Sequence, residues 1–246
     1  MLRIFHIFLV CLFLSVPAGA AYASDTQNGP EDLKLLITKM ADAAGGEKVI
    51  QETAAVKMSG DLDAFMRQDR GSYELVFKRP RKLRVETKYQ RSSETRILNN
   101  DKGYRGIDGA RPEPAKGQRY LAMVYQYKHL DLLYGLLRGM FSVSIKGKEE
   151  LNGKPAEVLH LEDKEGPLMD VYVDTQTFHV VKVTGYFKVM EGRTTTLSSE
   201  FSDYRKVGDI VLPFRIISLA GGDKLAETLI KTYVINPEIP DSAFEP

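Results

Sequence analysis

From residue 53 to the end of the chain, apolar and polar residues alternate with a period of two in one short segment after another. In Ser72–Lys78, for example, Tyr73, Leu75 and Phe77 share one side of the predicted strand. Turns rich in Gly, Asn and Asp separate about a dozen such strands. Short connections without alternating helices favour a single antiparallel sheet, curled into a barrel or half-barrel, over a parallel α/β fold. The sequence therefore predicts a mainly β protein of α+β type.

Apolar residues recur at the spacing of an α-helix in two regions of the sequence. The first is Glu31–Ala44, with a further turn at Glu47–Glu52. The second spans residues 115–140 and is apolar over more than one narrow face. Gly135 and Gly139 are predicted to break this second region into two shorter helices. We expect these helices to form a lid over the sheet.

The predicted sheet is too wide to fill its own interior. The diameter of a curled sheet grows with strand number, so about a dozen strands enclose more space than their side chains occupy. Either the lid helices fill that space or an apolar ligand shares it. Each apolar residue on this face, taken singly, is better explained as ordinary core than as a ligand contact. The prediction of a ligand site therefore concerns the face as a whole.

The first 23 residues have the composition of a cleaved secretory signal peptide. Arg3 precedes an apolar run, Ile4–Val16, which is shorter than the roughly 20 residues needed to span a bilayer. Small residues allow cleavage after Ala20 or Ala23, and cleavage after Ala23 leaves a polar start. An uncleaved anchor is the alternative interpretation. We expect residues 24–246 to form one exported domain in the periplasm.

Charge and cysteine content exclude several classes of protein. The chain has 34 Lys and Arg against 33 Asp and Glu, which gives no support for a nucleic-acid binder. The single cysteine, Cys11, lies within the predicted signal peptide. The exported part is therefore predicted to contain neither a disulfide framework nor a thiolate metal site.

No pattern that supports catalysis or metal binding is found in the sequence. His129, His160 and His179 are not arranged in H-x-H, H-x-x-H or H-E-x-x-H spacing. The sequence also contains no G-x-S-x-G nucleophile motif, Walker loop or G-x-G-x-x-G motif. Paired acids such as Glu162-Asp163 are predicted to be solvated at turns. We therefore expect no enzymatic activity, no catalytic residues, no metal and no cofactor.

The most specific pattern lies in the first predicted hairpin and the strands that follow it. Residues 71–80 read GSYELVFKRP, residues 83–86 read LRVE, and NNDKG follows at 99–103. This arrangement resembles the outer-membrane lipoprotein-sorting family, the periplasmic LolA-like carriers, whose early hairpin reads G-x-L-x-x-K-R-P. The helical region at 115–140 corresponds to the lid helices of that family. The segment NPEIPDSAF at 236–244 resembles the proline-rich end of the family.

The resemblance implies a half-barrel closed by helices, with an apolar concave face that holds acyl chains of a lipoprotein or lipid. It further implies an inner-membrane donor and an outer-membrane acceptor, and we expect the protein itself to be a monomer. Candidate lipid-binding residues on the hairpin are Tyr73, Leu75, Phe77, Leu83 and Val85. The opposing wall is predicted to comprise Tyr120, Leu121, Val124, Tyr125, Leu132, Leu133, Leu136 and Leu137.

Arg79 matches the family arginine that latches the lid by hydrogen bonds to backbone groups at helix ends. Its planar guanidinium can hold several carbonyl groups at once, which lysine cannot reproduce. Without the resemblance, the sequence favours a solvated arginine beside a turn.

Three classes of function remain open from the sequence. The first is a carrier that shields acyl chains during transfer to the outer membrane. The second is a non-catalytic sensory or adaptor module of the same fold that binds a lipid or a protein partner. The third, a periplasmic enzyme, is disfavoured because no catalytic pattern is present.

Overall fold

The computed structural model describes residues 29–188 and 192–246, and its dominant element is one sheet of 13 strands. The predicted signal peptide lies outside the described residues. The strands are β1 (Ala55–Ala64), β2 (Asp69–Lys78), β3 (Lys82–Tyr89), β4 (Ser93–Asn99), β5 (Lys102–Ile107), β6 (Glu113–Ala115), β7 (Ser142–Leu151), β8 (Lys154–Glu162), β9 (Leu168–Asp174), β10 (Val180–Lys188), β11 (Thr194–Val207), β12 (Ile210–Ala220) and β13 (Asp223–Ile235).

The first and last strands in chain order, β1 and β13, lie side by side near the centre of the sheet. The strand order is β6-β5-β4-β3-β2-β1-β13-β12-β11-β10-β9-β8-β7, and neighbouring strands pair antiparallel. In the central β1–β13 pair, Met58 lies opposite Tyr233. Strands β6 and β7 form the two free edges, so the curled sheet is open. The predicted antiparallel half-barrel of about a dozen strands is confirmed.

The alternation of the first hairpin determines which side chains line the concave face of the sheet. Tyr73, Leu75 and Phe77 of β2 are buried and lie opposite Thr87, Val85 and Leu83 of β3, respectively. Directly paired residues of antiparallel strands point to the same side of the sheet. These six residues therefore form three rows across the concave face, while the intervening Glu74 pairs with Lys57 at 3.0 Å on the outer face.

Within the described residues, four α-helices accompany the sheet: α1 (Pro30–Ala43), α2 (Glu47–Glu52), α3 (Gln118–Leu130) and α4 (Leu132–Leu137). A glycine is required at the turn between α1 and α2. Gly45 has φ +115°, and a Cβ there would lie 2.2 Å from the carbonyl oxygen of Asp209. Among helices of the described residues, none combines the length and apolar character needed to cross a membrane.

The predicted break of the second helical region is wrong in its position. The chain leaves the helix at Asp131, between α3 and α4, whereas Gly135 lies inside α4. Gly135 has a packing role, because a Cβ at this position would lie 2.5 Å from the ring of Phe141. Gly139 follows the end of α4 with φ +61°, a conformation that favours glycine.

Helix α3 separates the interior into two apolar clusters. Met123 and Val124 pack with residues of β1–β4, whereas Tyr125 packs with Leu159, Val171 and other residues of β8–β10. The helix therefore buries two faces, which explains why its sequence is apolar over more than one stripe.

Candidate functional site

Two cavities lie between the helices and the concave face of the sheet. The first cavity lies beneath α1, α2 and α4 and reaches the central strands; its mouth and interior together contain about 1090 Å³ of space free of protein atoms. Its lining is mostly apolar and includes Met40, Ile50, Phe77, Leu132, Phe201 and Tyr233.

The second cavity lies beside α3 and opens toward the connection between β1 and β2. It contains about 1260 Å³ of space free of protein atoms, its mouth included. Apolar residues such as Leu62, Leu75 and Ala226 line one part of it. The lining differs from that of the first cavity because it also includes Glu94, Arg96 and several hydroxyl groups.

The two cavities adjoin each other beneath the end of α3. His129 and Leu130 of α3, together with Met58 and Ile216 of the sheet, line both of them. Burial lowers the pKa of His129 to about 4, so the ring is neutral at pH 7. Its Nδ1 atom is buried without a hydrogen-bond partner among the described residues. These four residues therefore form an apolar junction between the cavities.

Six of the thirteen predicted lipid-binding residues line a cavity. Those in the first cavity are Phe77, Leu132 and Leu133. Those in the second cavity are Tyr73, Leu75 and Tyr125.

The other seven predicted residues lie outside the cavity linings. Leu83, Val85, Val124 and Leu136 are buried in the packed clusters. The remaining three are partly buried and pack against hydrophobic clusters: Tyr120, Leu121 and Leu137.

Sequence reasoning missed the lining residues that come from the second half of the sheet. Phe201 of β11, Ile216 of β12 and Tyr233 of β13 line the first cavity. Their strands were predicted, but the local alternation does not say which side of a strand faces the cavity. The pairing of β1 with β13 supplies that information, and it joins segments more than 150 residues apart.

Arg79 connects β2 to two helix ends. Its Nε donates to Asp131 Oδ1 at 2.6 Å, and its Nη1 donates to the carbonyl oxygens of Ile50 at 3.0 Å and Gln51 at 3.3 Å. The guanidinium also lies 3.7 Å from the ring centroid of Tyr134 in α4. The Arg79 side chain is only 14% exposed and is therefore not a solvated turn residue.

The contacts of Asp131 explain why α3 and α4 are joined there. Its Oδ1 accepts from Arg79, and its Oδ2 accepts from the Tyr127 hydroxyl at 3.0 Å. Burial raises the pKa of Asp131, and the charge and hydrogen bonds of Arg79 oppose that rise. One carboxylate thus links the end of α3 to the strand that carries Arg79.

A second polar group links the two sides of the open sheet across the start of α3. Arg81, in the turn after β2, forms an ion pair with Glu165, which lies between β8 and β9. The Tyr120 hydroxyl of α3 accepts from Arg81 at 3.0 Å and donates to Glu165 at 2.8 Å. Burial alone would raise the pKa of Glu165, but the hydrogen bonds from Arg81 and Tyr120 hold it below its ordinary value.

Lys128 extends this link along α3. The buried Lys128 ammonium forms an ion pair with Asp163 and donates to the carbonyl oxygen of Gly166 at 3.0 Å. Asp163 is thus part of an ion pair with the helix and not the solvated turn acid that the sequence suggests. None of these pairings could be found from sequence spacing, because Arg81 and Glu165 lie 84 residues apart.

The polar groups of the site are suited to holding helices against a sheet. Residues 29–188 and 192–246 contain no group of three or more His, Cys, Asp or Glu side chains that could hold a metal ion. The site therefore consists of two adjoining cavities and the side chains that tie their cover in place.

The comparisons with known proteins agree with this architecture. No family model matches the sequence, and no curated protein matches it. A solved LolA superfamily protein from Nitrosomonas europaea is similar in structure, with 16% identity, a TM-score of 0.55 and coverage of 85% of this chain and 96% of that one. The chain therefore has the LolA-like fold, and the resemblance found in the sequence is confirmed at that level.

Two further solved structures share the fold. A DUF1329 family protein from Desulfovibrio piger has 11% identity and a TM-score of 0.55, and the match covers 87% of this chain and 97% of that one. An outer membrane lipoprotein-sorting protein domain from Vibrio parahaemolyticus has 11% identity and a TM-score of 0.53, with 86% and 95% covered. At these identities the similarity describes the fold.

Proposed function

We propose that this protein is a carrier of the periplasm that binds the acyl chains of a lipid or lipoprotein and shields them from water during transfer to the outer membrane. The observation that carries this proposal is the pair of adjoining cavities beneath the helices, which the protein's own side chains leave unfilled. The fold supports it, since one structural neighbour is described as an outer membrane lipoprotein-sorting domain.

The energetics of burial are sufficient for such a complex. Each buried methylene group contributes about 0.8 kcal/mol, so a 16-carbon chain contributes roughly 10 kcal/mol before the costs of association. Because Met58, His129, Leu130 and Ile216 line both cavities, we infer that one chain extends from the first cavity toward the second. The protein acts by binding and release, without catalysis.

Release requires the helices to move away from the sheet, and Arg79 acts as the latch. Its bonds to Ile50, Gln51 and Asp131 hold the end of α2 and the α3–α4 junction at the same strand. Breaking these bonds frees the cover of the first cavity. An inner-membrane donor and an outer-membrane acceptor are the partners that such a carrier needs, and the carrier itself is monomeric.

The test is to fill the junction between the cavities and measure binding of a fluorescent 16-carbon fatty acid to delipidated protein. Ile216 lines both cavities, so Ile216→Trp places a bulky indole ring between them. We expect this variant to bind the fatty acid at least about tenfold more weakly. Val234→Trp is the matched control, because Val234 is 49% exposed and follows the cavity residue Tyr233 on the other face of β13. Equal binding by both variants would overturn the proposal.

A further inference from the structure

The second cavity contains a cationic group on an otherwise buried part of the sheet. Arg96 of β4 lies opposite the buried Val85 of β3, so both side chains point to the concave face. Arg96 is half-buried and lines the second cavity. An arginine guanidinium keeps its charge in such a place and presents five N–H donors.

Arg96 has no carboxylate partner within the part of the chain that the structure describes. The nearest acid on the same face of β4, Glu94, is bound by Arg105 Nε at 2.6 Å. Arg67, the other cation in the lining, lies 4.9 Å from the ring centroid of Tyr89 and donates to Ser92. The charged groups that line the second cavity are Arg67, Arg96 and Glu94, so its charge is positive.

Two neutral groups beside Arg96 also have unused hydrogen-bonding capacity. The Tyr73 hydroxyl oxygen accepts from Gln126 Nε2 at 3.2 Å, and no acceptor for its proton is found among the described residues. Burial raises the pKa of Tyr73 to about 12, against the opposing charge of Arg96, so the proton is retained at pH 7. Gln126 Oε1 is buried without a partner in the described ranges 29–188 and 192–246. The cavity thus offers donors for an anion and an acceptor for a hydroxyl.

We propose that the second cavity binds the anionic head of an amphiphile, with Arg96 as its cationic ligand and the Tyr73 hydroxyl as a neutral donor, while the acyl chain extends through the junction into the first cavity. This inference rests on the proposed function, because it assigns the polar end of the same cargo. A phosphate or carboxylate head suits the site, since both accept paired hydrogen bonds from a guanidinium.

The first arm of the test compares two amphiphiles that differ in one group. Palmitoyl-lysophosphatidic acid and monopalmitoylglycerol share the chain and the glycerol, and only the first carries a phosphate. We expect delipidated protein at pH 7 to bind the phosphate-bearing probe at least about tenfold more tightly than monopalmitoylglycerol. One charge-assisted hydrogen bond is enough to produce a difference of that size.

The second arm assigns the preference to Arg96. Arg96→Gln should abolish the tenfold preference by weakening binding of the phosphate-bearing probe, and an unchanged circular-dichroism spectrum and melting temperature show that the variant is folded. Arg111→Gln, at an exposed position outside the cavity lining, should keep the full preference. Should Arg96→Gln fail to fold, Tyr73→Phe serves instead and should reduce the preference for the phosphate-bearing probe.

The outcomes separate this inference from the proposed function. Equal binding of the two amphiphiles, or an unchanged preference in both Arg96→Gln and Tyr73→Phe, would overturn the head-group site and leave the acyl carrier intact. Absence of binding of either amphiphile to the wild-type protein would overturn both.

Discussion

Arg79 Nε and Asp131 Oδ1 lie 2.6 Å apart in a buried ion pair that joins the end of β2 to the junction of α3 and α4. The two residues are 52 positions apart in the sequence, and each also bonds a further helical group. The pair therefore bears on both the stability of the fold and the movement of the helices.

Removal of the arginine should destabilise the protein because it leaves Asp131 buried without its charge partner. We expect Arg79→Leu to lower the free energy of unfolding by about 3–5 kcal/mol, as is typical of a broken buried pair. The double variant Arg79→Leu/Asp131→Leu should recover a large part of that loss. Urea denaturation measures both, and a loss below about 1 kcal/mol in the single variant would show that the pair is not a structural tie.

The link between Glu165 and Arg81 should depend on pH in a defined direction. The pKa of Glu165 is held below its ordinary value in the folded protein, so its stabilising effect is present above about pH 4.5 and is lost as the pH falls through the folded value. Glu165→Gln should cost about 1 kcal/mol at pH 7 and progressively less below pH 4.5. Denaturation at several pH values tests this, with the exposed Glu113→Gln as control. If the difference in stability between the wild type and Glu165→Gln grew toward acid pH, the lowered pKa of Glu165 would be contradicted.

His129 should make the protein less stable in mildly acidic solution. Its pKa is about 4 in the folded protein and 6.5 ordinarily, so between these values the unfolded chain binds the proton and the folded chain does not. We expect stability to fall by up to about 1.4 kcal/mol per pH unit below pH 6.5 relative to His129→Phe. Denaturation of the two proteins between pH 6.5 and 5 measures this slope. If the stabilities of the two proteins changed with pH in parallel, His129 would have its ordinary pKa in the folded protein.

The close approach of α4 and Phe141 should be sensitive to a single methyl group. A Cβ at position 135 would lie 2.5 Å from Phe141 Cε2, so Gly135→Ala should destabilise the protein by about 1–3 kcal/mol although alanine favours helices. Phe141→Leu in the same chain should restore part of the stability. The measurement is again the free energy of unfolding, and an increase in stability on Gly135→Ala alone would contradict the packing described here.

Local pattern was enough to predict most of the fold. The alternation at Tyr73, Leu75 and Phe77 predicts a buried face, and those side chains are buried. The helix break could not be located in the same way. It lies at Asp131, which Arg79 binds from 52 positions away in the sequence, whereas Gly135 packs closely against Phe141 inside α4.

The site was less predictable than the fold, for a physical reason. The alternation of apolar and polar residues along β3 predicts that Leu83 and Val85 face inward. Their burial under α3, however, depends on how closely the helix approaches the sheet. That Arg96 has no carboxylate partner in the described part of the chain becomes apparent only when the partners of Glu94 and Arg105 are known. Long-range pairing therefore decides which inward positions are core and which line a cavity.

The binding of acyl chains is tested most directly by native mass spectrometry of protein expressed with its N-terminal segment intact and purified without detergent. We expect a share of the wild-type and Val234→Trp proteins to carry the additional mass of an acyl-containing molecule, and Ile216→Trp to carry none. Finding no bound acyl mass on any of the three, or the same mass on Ile216→Trp as on the wild type, would contradict the claim that the cavities beneath the helices hold acyl chains.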